Sequence, residues 1–538
     1  MKPGLAALSL SLLVAVLVYG PRLDAPLMWD DRPMILNAAV LDRPLAARDY
    51  LSEDYFRLSN EATWRPLATL SYAVVARGFG KRPSALRAAM LLLHFAVALL
   101  LCLLVASVGL GAETGLFAAA LFLVHPVHIE TLMCVSYNEE LIAAFGVLAM
   151  LLARGRGRPG LAALALGAAL LGKETGAVGI VLAAMQDALE GGWDRLRERR
   201  KEYALYAAVT ACYLAVRFGP LRGPGGAMNL SASIPLLERL YYAAQGLGEA
   251  AALLAVPAGL RIEYFALPPA SMTTAVFWPA AAVAVLGGVL YAAHRRYRDR
   301  PAVAFFLLWP LPILALTSNV IPAAVLSLRP LAERWLYLPA AGAAAAAAWF
   351  LRRRPRMLFA LIVFWGALAM ARAQDWRSES RLWGSLVAVY PWSAKAHEGL
   401  GEAYYREGDY ASALASFEAG LHLREGRKDP LLVRFVPIAP PGTLAWESPS
   451  LYRWMGLCRM KLDDPAGAVG LFEKAVSLQP ADLFSYRVLA YLAALRGDFP
   501  EARRRSAEGL ARAPADSLLL RLDEEVRQDR LGFRVRFE

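Results

Sequence analysis

Residues 88–108 read AAMLLLHFAVALLLCLLVASV, a run of 21 residues without Asp, Glu, Lys or Arg. An α-helix of about 20 apolar residues crosses the hydrocarbon core of a bilayer, so this run predicts a membrane span. The rest of the chain has the same character, because 57% of its 538 residues are hydrophobic and the mean hydropathy is +0.39. This composition predicts a polytopic membrane protein of the all-α class and excludes an ordinary soluble domain.

Ten further apolar segments accompany this run, and they raise the predicted helical bundle to about eleven spans. They are residues 5–20, 112–124, 141–153, 161–172, 176–189, 203–216, 275–293, 303–316, 335–351 and 357–371. Several are shorter than a lone span requires, so we expect neighbouring helices to shield their ends. Segment 5–20 is interpreted as an uncleaved anchor, because no small-residue cleavage pattern follows it. Segment 234–256 is left out of the count, because its polar residues favour a surface-lying or re-entrant pair of half-helices.

Short arginine clusters predict the orientation of the bundle. They lie at 154–158, 195–201, 295–300 and 352–356, and each falls in an inside loop if the N-terminus is cytoplasmic. These loops also account for the net charge of +12. No RNA- or DNA-binding module is recognisable, so we expect no nucleic acid partner. The four cysteines are scattered and indicate neither a zinc site nor a disulfide framework.

The chain becomes polar after residue 374, and a 34-residue period appears there. Pro480 and Pro514 are 34 residues apart, as are Ala468 and Ala502, a period typical of the tetratricopeptide repeat. The predicted domains are therefore a transmembrane domain, 1–372, and a repeat domain, 373–538. The finer divisions are a first outer loop at 21–87, a half-repeat at 375–391, repeats near 394–424, 449–482 and 483–516, and a proline-rich insertion at 425–448. Stacked helical hairpins favour docking of a peptide-like partner, and the alternative is that they only cap the membrane domain.

On this topology the outer face collects a set of charged and imidazole side chains. They are Asp30, Asp31, Arg65, His125, His128, Glu130, Glu139, Glu140, Lys173, Glu174, Glu333 and Arg334. Cationic side chains facing a carboxylate pair beside a bilayer suit a lipid substrate that carries a phosphate, because Arg and Lys bind phosphate oxygens.

Structural alternatives exist for most of these residues. Asp30 and Asp31 could cap a helix that begins near Arg32-Pro33. Lys173 and Glu174 could neutralise each other at a helix end, and Arg334 could anchor the chain at the membrane interface.

Metal binding is a further alternative for one motif. His125, His128 and Glu130 carry competent metal ligands, but Pro126 breaks the helical register between the two histidines. We therefore predict no metal and no other cofactor.

Several motifs occur in an order that is known from one family. They are WDDRP at 29–33, ILN at 35–37, WRPL at 64–67, LLLH at 91–94, LFLVHPVHIE at 121–130, KE at 173–174 and AERWLYLP at 332–339. With these motifs and the C-terminal repeats, the chain resembles the transmembrane and tetratricopeptide-repeat protein O-mannosyltransferases of the C-type membrane glycosyltransferase superfamily. The resemblance covers nearly the whole chain.

The resemblance implies a helical bundle with an acidic motif in the first outer loop. It also implies a polyprenyl-phosphate sugar as donor and the Ser or Thr hydroxyls of exported proteins as acceptors, with mannose or another hexose transferred. Asp30 and Asp31 match the acidic motif. Further positions match motifs that line the same cavity: Arg65, His125, His128, Glu130, Lys173, Glu174, Glu333 and Arg334. The chain departs from the family at 137–141, where Tyr-Asn-Glu-Glu-Leu replaces a Gly-Arg-x-Asp-Leu run.

The resulting hypothesis is an inverting transfer in which Asp30 or Asp31 accepts the proton of the acceptor hydroxyl, with Asp30 preferred. Adjacent carboxylates cannot both ionise freely, so one should be the more basic. Arg334 and Lys173 are expected to stabilise the developing phosphate charge. A non-enzymatic membrane scaffold that presents the repeats is the main alternative, and a lipid or sugar transporter is another. The composition favours a bacterial inner membrane, with the site and the repeats in the periplasm.

Overall fold

The structure, a computed structural model, describes residues 2–223, 235–265, 272–318, 320, 330–425 and 448–532. The secondary structure of these residues is helical, and they contain no β-strand. The all-α prediction is therefore confirmed. The chain divides into two compact units, Met1–Ser378 and Glu379–Glu538.

The first unit is a bundle in which every predicted apolar segment is largely helical, and the described residues contain further helices, α2, α3, α4, α7 and α12, outside those segments. Its helices are α1 (Pro3–Tyr19), α2 (Ala47–Leu51), α3 (Asp54–Ser59), α4 (Pro66–Phe79), α5 (Pro83–Val105), α6 (Ala112–Val124), α7 (His128–Met133), α8 (Asn138–Gly155), α9 (Pro159–Gly172), α10 (Val178–Glu198), α11 (Arg200–Phe218), α12 (Leu236–Ala255), α13 (Met272–Tyr297), α14 (Pro301–Leu308), α15 (Pro310–Thr317), α16 (Tyr337–Leu351) and α17 (Pro355–Ala373). Proline stands in the first turn of several of them, where its missing N–H has no intrahelical partner to lose. Pro310 also divides the predicted span 303–316 into α14 and α15.

Five helices of the described residues are long and apolar enough to cross a membrane, judged by length and composition. They are Pro3–Arg22, Pro83–Leu110, Val135–Gly155, Ala275–Tyr297 and Pro355–Ala373. Shorter apolar helices occupy other predicted spans, among them Ala112–Val124, Pro159–Gly172 and Pro301–Thr317. The protein is a membrane protein, and the count of about eleven spans stays a prediction.

Helix α12 corrects one expectation from the sequence. A single continuous helix of 20 residues occupies most of segment 234–256, where a pair of half-helices was predicted. Its polar residue Gln245 is buried and donates a hydrogen bond to the backbone carbonyl of Phe265 at 3.3 Å. Gly246 lies so close to Pro330 that a Cβ atom would stand 2.2 Å from the Pro330 carbonyl oxygen. The polar and glycine positions therefore serve contacts of an unbroken helix.

Close packing between α8 and α9 positions the segment that follows α9. A Cβ atom on Gly146 would stand 2.7 Å from the Cβ of Ala169, and one on Gly172 would stand 2.6 Å from Ile142. Only glycine permits this approach. Lys173 then has extended backbone angles, which end α9 and turn its side chain toward α8.

In its described residues, the second unit contains α18 (Glu379–Val389) and then three helical hairpins and a final helix. The later helices are α19 (Ala394–Glu407), α20 (Tyr410–Glu425), α21 (Pro449–Lys461), α22 (Pro465–Leu478), α23 (Leu483–Leu495), α24 (Phe499–Leu510) and α25 (Ser517–Arg527). The hairpins α19–α20, α21–α22 and α23–α24 coincide with the three predicted repeats. The predicted insertion 425–448 lies outside the described residues except at its two ends.

Equivalent contacts recur along this repeat array. Gly401 faces the ring of Phe417, and Gly456 faces the ring of Phe472 in the same way, with 2.7 and 2.8 Å between a built Cβ and the ring. Arg453 also pairs with Asp482 at 3.1 Å. Arg487 and Asp516, each 34 residues further along, form the equivalent pair. The 34-residue period is therefore a period of contacts as well as of sequence.

Candidate active site

Asp30 and Asp31 are adjacent in sequence but lie in different surroundings. Asp31 is fully buried, and its Oδ1 accepts a hydrogen bond from the Ser136 backbone N–H at 2.8 Å. The Cys134 thiol donates to the same oxygen at 3.4 Å. Burial raises the pKa of Asp31 despite these donors. Its side chain does not cap the helical turn that follows, so the capping alternative fails for Asp31.

Asp30 is partly buried and lines a polar cavity. The hydroxyl of Tyr137 donates a hydrogen bond to Asp30 Oδ2 at 2.6 Å. Among the described residues, no hydrogen bond involves the other carboxylate oxygen, Oδ1. Of the two carboxylates, only that of Asp30 therefore lines the cavity, while Asp31 holds the loop to residues 134–136.

The segment before Asp30 is fixed by Arg87, a fully buried residue of α5. Its guanidinium donates to the backbone carbonyls of Leu23, Pro26 and Met133, each at 3.0 Å, and to that of Ala25. One arginine thus ties the chain after α1 to the end of α7.

The polar cavity has a volume of about 390 Å³. Five of the ten predicted site residues line it: Asp30, Arg65, Lys173, Glu174 and Arg334. Five do not: Asp31, His125, His128, Glu130 and Glu333. Residues outside the predicted site also line the cavity, among them Tyr137, Glu139, Arg217 and Trp335.

One wall of the cavity is a cluster of alternating charges. Arg65 pairs with Glu139 and, at 3.1 Å, with Glu174. Lys173 pairs with Glu139 at 2.7 Å and with Glu140 at 2.5 Å. Lys173 and Glu174 therefore pair with different partners and do not neutralise each other, which corrects that alternative.

Arg217, at the end of α11, completes this cluster by pairing with Glu174 at 3.0 Å. Burial alone would raise the pKa of Glu174, but Arg65 and Arg217 together bring it below its usual range. The sequence signal for Arg217 was available, because it follows the apolar segment 203–216 at its predicted outer end. Three cations and three carboxylates thus balance each other in this wall.

Arg334 lies on another part of the wall. Its guanidinium pairs with Glu130 at 2.7 Å, and its backbone N–H donates to the same carboxylate at 2.9 Å. The guanidinium carbon stands 4.4 Å from the centre of the Tyr137 ring. Arg334 is thus held by specific contacts on two sides, beyond what an interface anchor requires.

Glu333 is directed away from the cavity. It accepts hydrogen bonds from Tyr264, at 3.0 Å, and from the backbone N–H of Arg261, and it lies 3.6 Å from Arg372. Burial raises the pKa of Glu333 to about 8, although Arg372 opposes this effect. These contacts connect Glu333, the neighbour of Arg334, to Arg372 at the end of α17.

The histidines lie in a buried aromatic layer with Tyr337. The ring centres of His94 and His128 are 5.2 Å apart, and those of His125 and His128 are 5.8 Å apart. Burial lowers the pKa of His125 to about 4, so its ring is neutral near pH 7. Within the described ranges, no group of three or more His, Cys, Asp or Glu side chains is placed to hold a metal ion.

A second, apolar cavity of about 500 Å³ adjoins the polar one. It is lined mainly by residues of α12, α13 and α15, and Thr317 lines both cavities. The first unit is thus a membrane bundle with a charged cavity beside an apolar one, the class of arrangement that suits an amphipathic substrate.

Comparison with known proteins points to a particular family within this class. The chain is 33% identical over 192 residues to "Protein O-mannosyl-transferase Tmtc1" of Drosophila melanogaster, and this match covers 33% of the chain and 22% of the relative. The chain thus spans about a fifth of that relative's length. The match confirms the resemblance to the transmembrane and tetratricopeptide-repeat O-mannosyltransferases.

Two other comparisons add no assignment. No protein-family model matches the chain. The solved structure "Crystal structure of APC/C hetero-tetramer Cut9-Hcn1" covers 91% of this chain and 98% of its own at 13% identity, with a TM-score of 0.23. That score is too low to carry a fold argument.

Proposed function

We propose that this protein is a membrane glycosyltransferase that moves a sugar from a polyprenyl-phosphate donor to Ser or Thr hydroxyls of exported proteins. The observation that carries the proposal is the cavity in which the carboxylate of Asp30 lies with Arg217 and Arg334. The similarity to Tmtc1 supports the O-mannosyltransferase type of chemistry. The sugar is mannose or another hexose.

Asp30 is the general base of this reaction. Its Oδ2 is held by Tyr137, which leaves Oδ1 for the acceptor hydroxyl. The hydroxyl oxygen attacks the anomeric carbon, its proton passes to Asp30, and the bond between the anomeric carbon and the phosphate oxygen breaks. The phosphate leaves with the electron pair, and one displacement inverts the configuration at the sugar.

The leaving phosphate is stabilised by cations of the cavity wall. Arg334 and Arg217 each spend only part of their five N–H donors on protein partners, so donors remain for phosphate oxygens. Lys173 adds a third charge, although two of its three donors face Glu139 and Glu140. The remaining N–H donors of Arg334 and Arg217 are proposed to bind the single phosphate directly, so the reaction is proposed to need no metal.

The apolar cavity beside the site supports a lipid-linked donor. Its wall between α12, α13 and α15 includes Leu240, Leu247, Val283 and Leu314. A polyprenyl chain in this cavity would place its phosphate near Thr317, where the two cavities meet. The proposed location is a bacterial inner membrane with the N-terminus cytoplasmic and the site and the repeats periplasmic.

The test compares the wild-type protein with Asp30→Asn in proteoliposomes that contain polyprenyl-phosphate mannose and a Ser/Thr-rich peptide. Mass spectrometry measures the added hexose. Loss of a positioned base typically costs a factor of about 10² to 10⁴ in rate, so we expect a loss in that range. Asp42→Asn is the matched control, because Asp42 is an exposed acid of the same loop that pairs with Lys81.

The proposal fails if Asp30→Asn transfers hexose as fast as the wild type. The non-enzymatic scaffold gives a different pattern, in which Asp30→Asn retains full function in cells and deletion of the repeats abolishes it. A chelator arm tests the metal: loss of activity that a divalent cation restores would contradict a metal-independent reaction.

A further inference from the structure

Tyr137 contacts both Asp30 and Arg334, which are the base and a phosphate-binding cation in the proposed function. It is the last residue of the short helical turn Val135–Tyr137, immediately before α8, and it is buried in the cavity wall. This is the position at which the chain departs from the family pattern. Nothing in the sequence argument gave this residue a role.

The hydroxyl of Tyr137 contacts the carboxylate of Asp30. Its hydrogen bond to Asp30 Oδ2, at 2.6 Å, fixes one oxygen and so orients the other. Hydrogen bonds to an ionised acceptor are stronger than those between neutral groups, so this contact resists rotation of the carboxylate. The segment 134–137 holds both acidic residues, because Ser136 binds Asp31 while Tyr137 binds Asp30.

The ring of Tyr137 contacts the guanidinium of Arg334. The guanidinium carbon of Arg334 lies 4.4 Å from the ring centre, within the range of a cation–π interaction. Trp29 supports the ring from another direction, with its ring centre 6.2 Å away in an edge-to-face arrangement. Arg334 is therefore held between an aromatic face and the carboxylate of Glu130.

We propose that Tyr137 is a positioning residue that fixes the carboxylate of Asp30 and the guanidinium of Arg334 relative to each other. This inference rests on the proposed function, because it assigns the hydroxyl to the base and the ring to the phosphate-binding cation. The two halves of one side chain then have separable effects on the reaction. Removing the hydroxyl disturbs the base, and removing the ring disturbs donor binding as well.

The experiment measures kcat and the donor KM of the full chain in proteoliposomes with polyprenyl-phosphate mannose and a Ser/Thr-rich peptide. Tyr137→Phe keeps the ring and loses the hydroxyl, so we expect kcat to fall about tenfold with an unchanged donor KM. Tyr137→Leu loses both, so we expect the same fall in kcat and a donor KM raised about fivefold. A residue that only supports the fold would not divide its effects in this way.

Tyr203→Phe is the matched control. The Tyr203 hydroxyl donates to Asp187 at 2.5 Å, and Arg154 lies 5.7 Å from its ring centre, so the same type of contact is removed outside the polar cavity. We expect kcat and KM of this variant to equal those of the wild type. Thermal unfolding in detergent shows which variants are folded. If Tyr137→Leu is unfolded, the kcat of Tyr137→Phe alone tests the inference.

The outcomes separate the inference from the function on which it rests. If the wild type transfers hexose and Tyr137→Phe has the same kcat, the inference is wrong and the proposed function stands. A fall in kcat for Tyr203→Phe as large as that for Tyr137→Phe also overturns it. If the wild type transfers no sugar from the donor, the proposed function fails and takes the inference with it.

Discussion

Two neighbouring carboxylates in this protein do different work because different partners meet them. Asp31 is enclosed and accepts a backbone N–H, which suits a residue that holds a loop. Asp30 faces a cavity and keeps one oxygen for another molecule. A carboxylate that must take a proton and release it needs access as well as basicity, which is why we propose the more exposed residue, Asp30, as the base.

The sequence predicted that the two residues would differ, but their roles could be assigned only with the structure. The deciding contacts come from Ser136 and Tyr137, which are 105 and 107 residues away along the chain. No local pattern connects positions so far apart. Like-charge repulsion predicts a difference between adjacent acids without saying which of them is enclosed.

The single residue Glu61 should make the stability of the folded protein depend on pH. It is buried and accepts a hydrogen bond from Tyr72 at 3.1 Å. Burial raises the pKa of Glu61 to about 7, because the opposing effect of Arg65 is partly cancelled by Glu139. The folded protein thus binds this proton more tightly than the unfolded chain does. The associated stability is fully present below about pH 4.5 and is lost as the pH rises through about 7.

Glu61→Gln cannot ionise, so its free energy of unfolding should rise relative to the wild type by about 2 kcal/mol between pH 5 and pH 8. Thermal unfolding in detergent at the two pH values measures this change. Glu53→Gln, which alters an exposed acid of the same loop, is the control. Equal behaviour of the two variants at both pH values would show that Glu61 is ionised in the folded protein.

Among the elements, the helical hairpins of the second unit are built on contacts that recur from one repeat to the next. The recurring glycine permits close contact with a phenylalanine of the partner helix. The recurring Arg–Asp pair joins each hairpin to the start of the next helix. In these pairs the aspartate also stands at a helix N-terminus, where a carboxylate is favoured.

Asp516 gives a testable prediction about the stability of the last helix of the repeats, α25. It caps α25 by accepting a hydrogen bond from the Leu519 N–H at 2.9 Å, and it pairs with Arg487. Asp516→Ala loses both contacts, which should cost about 1 to 2 kcal/mol. Hydrogen exchange of the amides of Ser517–Arg527 should then be about tenfold faster.

Asp516→Asn retains a capping oxygen and loses only the charge, so a smaller increase in exchange is expected. Glu524→Ala, on an exposed position of the same helix, is the control. Wild-type exchange rates in Asp516→Ala would show that α25 is held by its apolar face alone.

The repeats were predictable because one period fixes their lengths, turns and contacts together. Helix α12 was not, because one acceptor for the Gln245 amide is a carbonyl from outside the helix, that of Phe265. Polar residues in an apolar segment indicate a broken helix when they are considered alone. A tertiary contact of this kind leaves no signal in the segment itself.

At the scale of the whole molecule, the orientation of the bundle is the property to test. The arginine clusters predict that 154–158 is cytoplasmic and that the loop 21–87 is outside. Two exposed positions sample these loops, Asp42 and Arg156. In a background lacking the exposed Cys212, a membrane-impermeant maleimide applied to intact cells should label D42C and leave R156C unlabelled until the membrane is opened.

Labelling of R156C but not D42C in intact cells would reverse the proposed topology and place the cavity on the cytoplasmic side. The sequence could predict that the charges of the outer face lie together, because topology assigns each loop to one side. It could not predict their pairing. Lys173 was expected to stabilise the phosphate charge, and in the structure two carboxylates of α8 hold it.

The balanced wall of charges has a consequence for how the chain is made. Its members are Arg65, Glu139, Glu140, Lys173, Glu174 and Arg217. A ribosome delivers Glu140 to the membrane 33 residues before its partner Lys173, and an unpaired charge is costly there. Helices α8 and α9 must therefore enter as a joined hairpin. Glu174 can then pair with Arg65, which was synthesised earlier, and Arg217 joins this pair last, when α11 is inserted. The order of the charges along the gene thus matches an order of assembly in which Lys173, Glu174 and Arg217 each find a counter-charge already present.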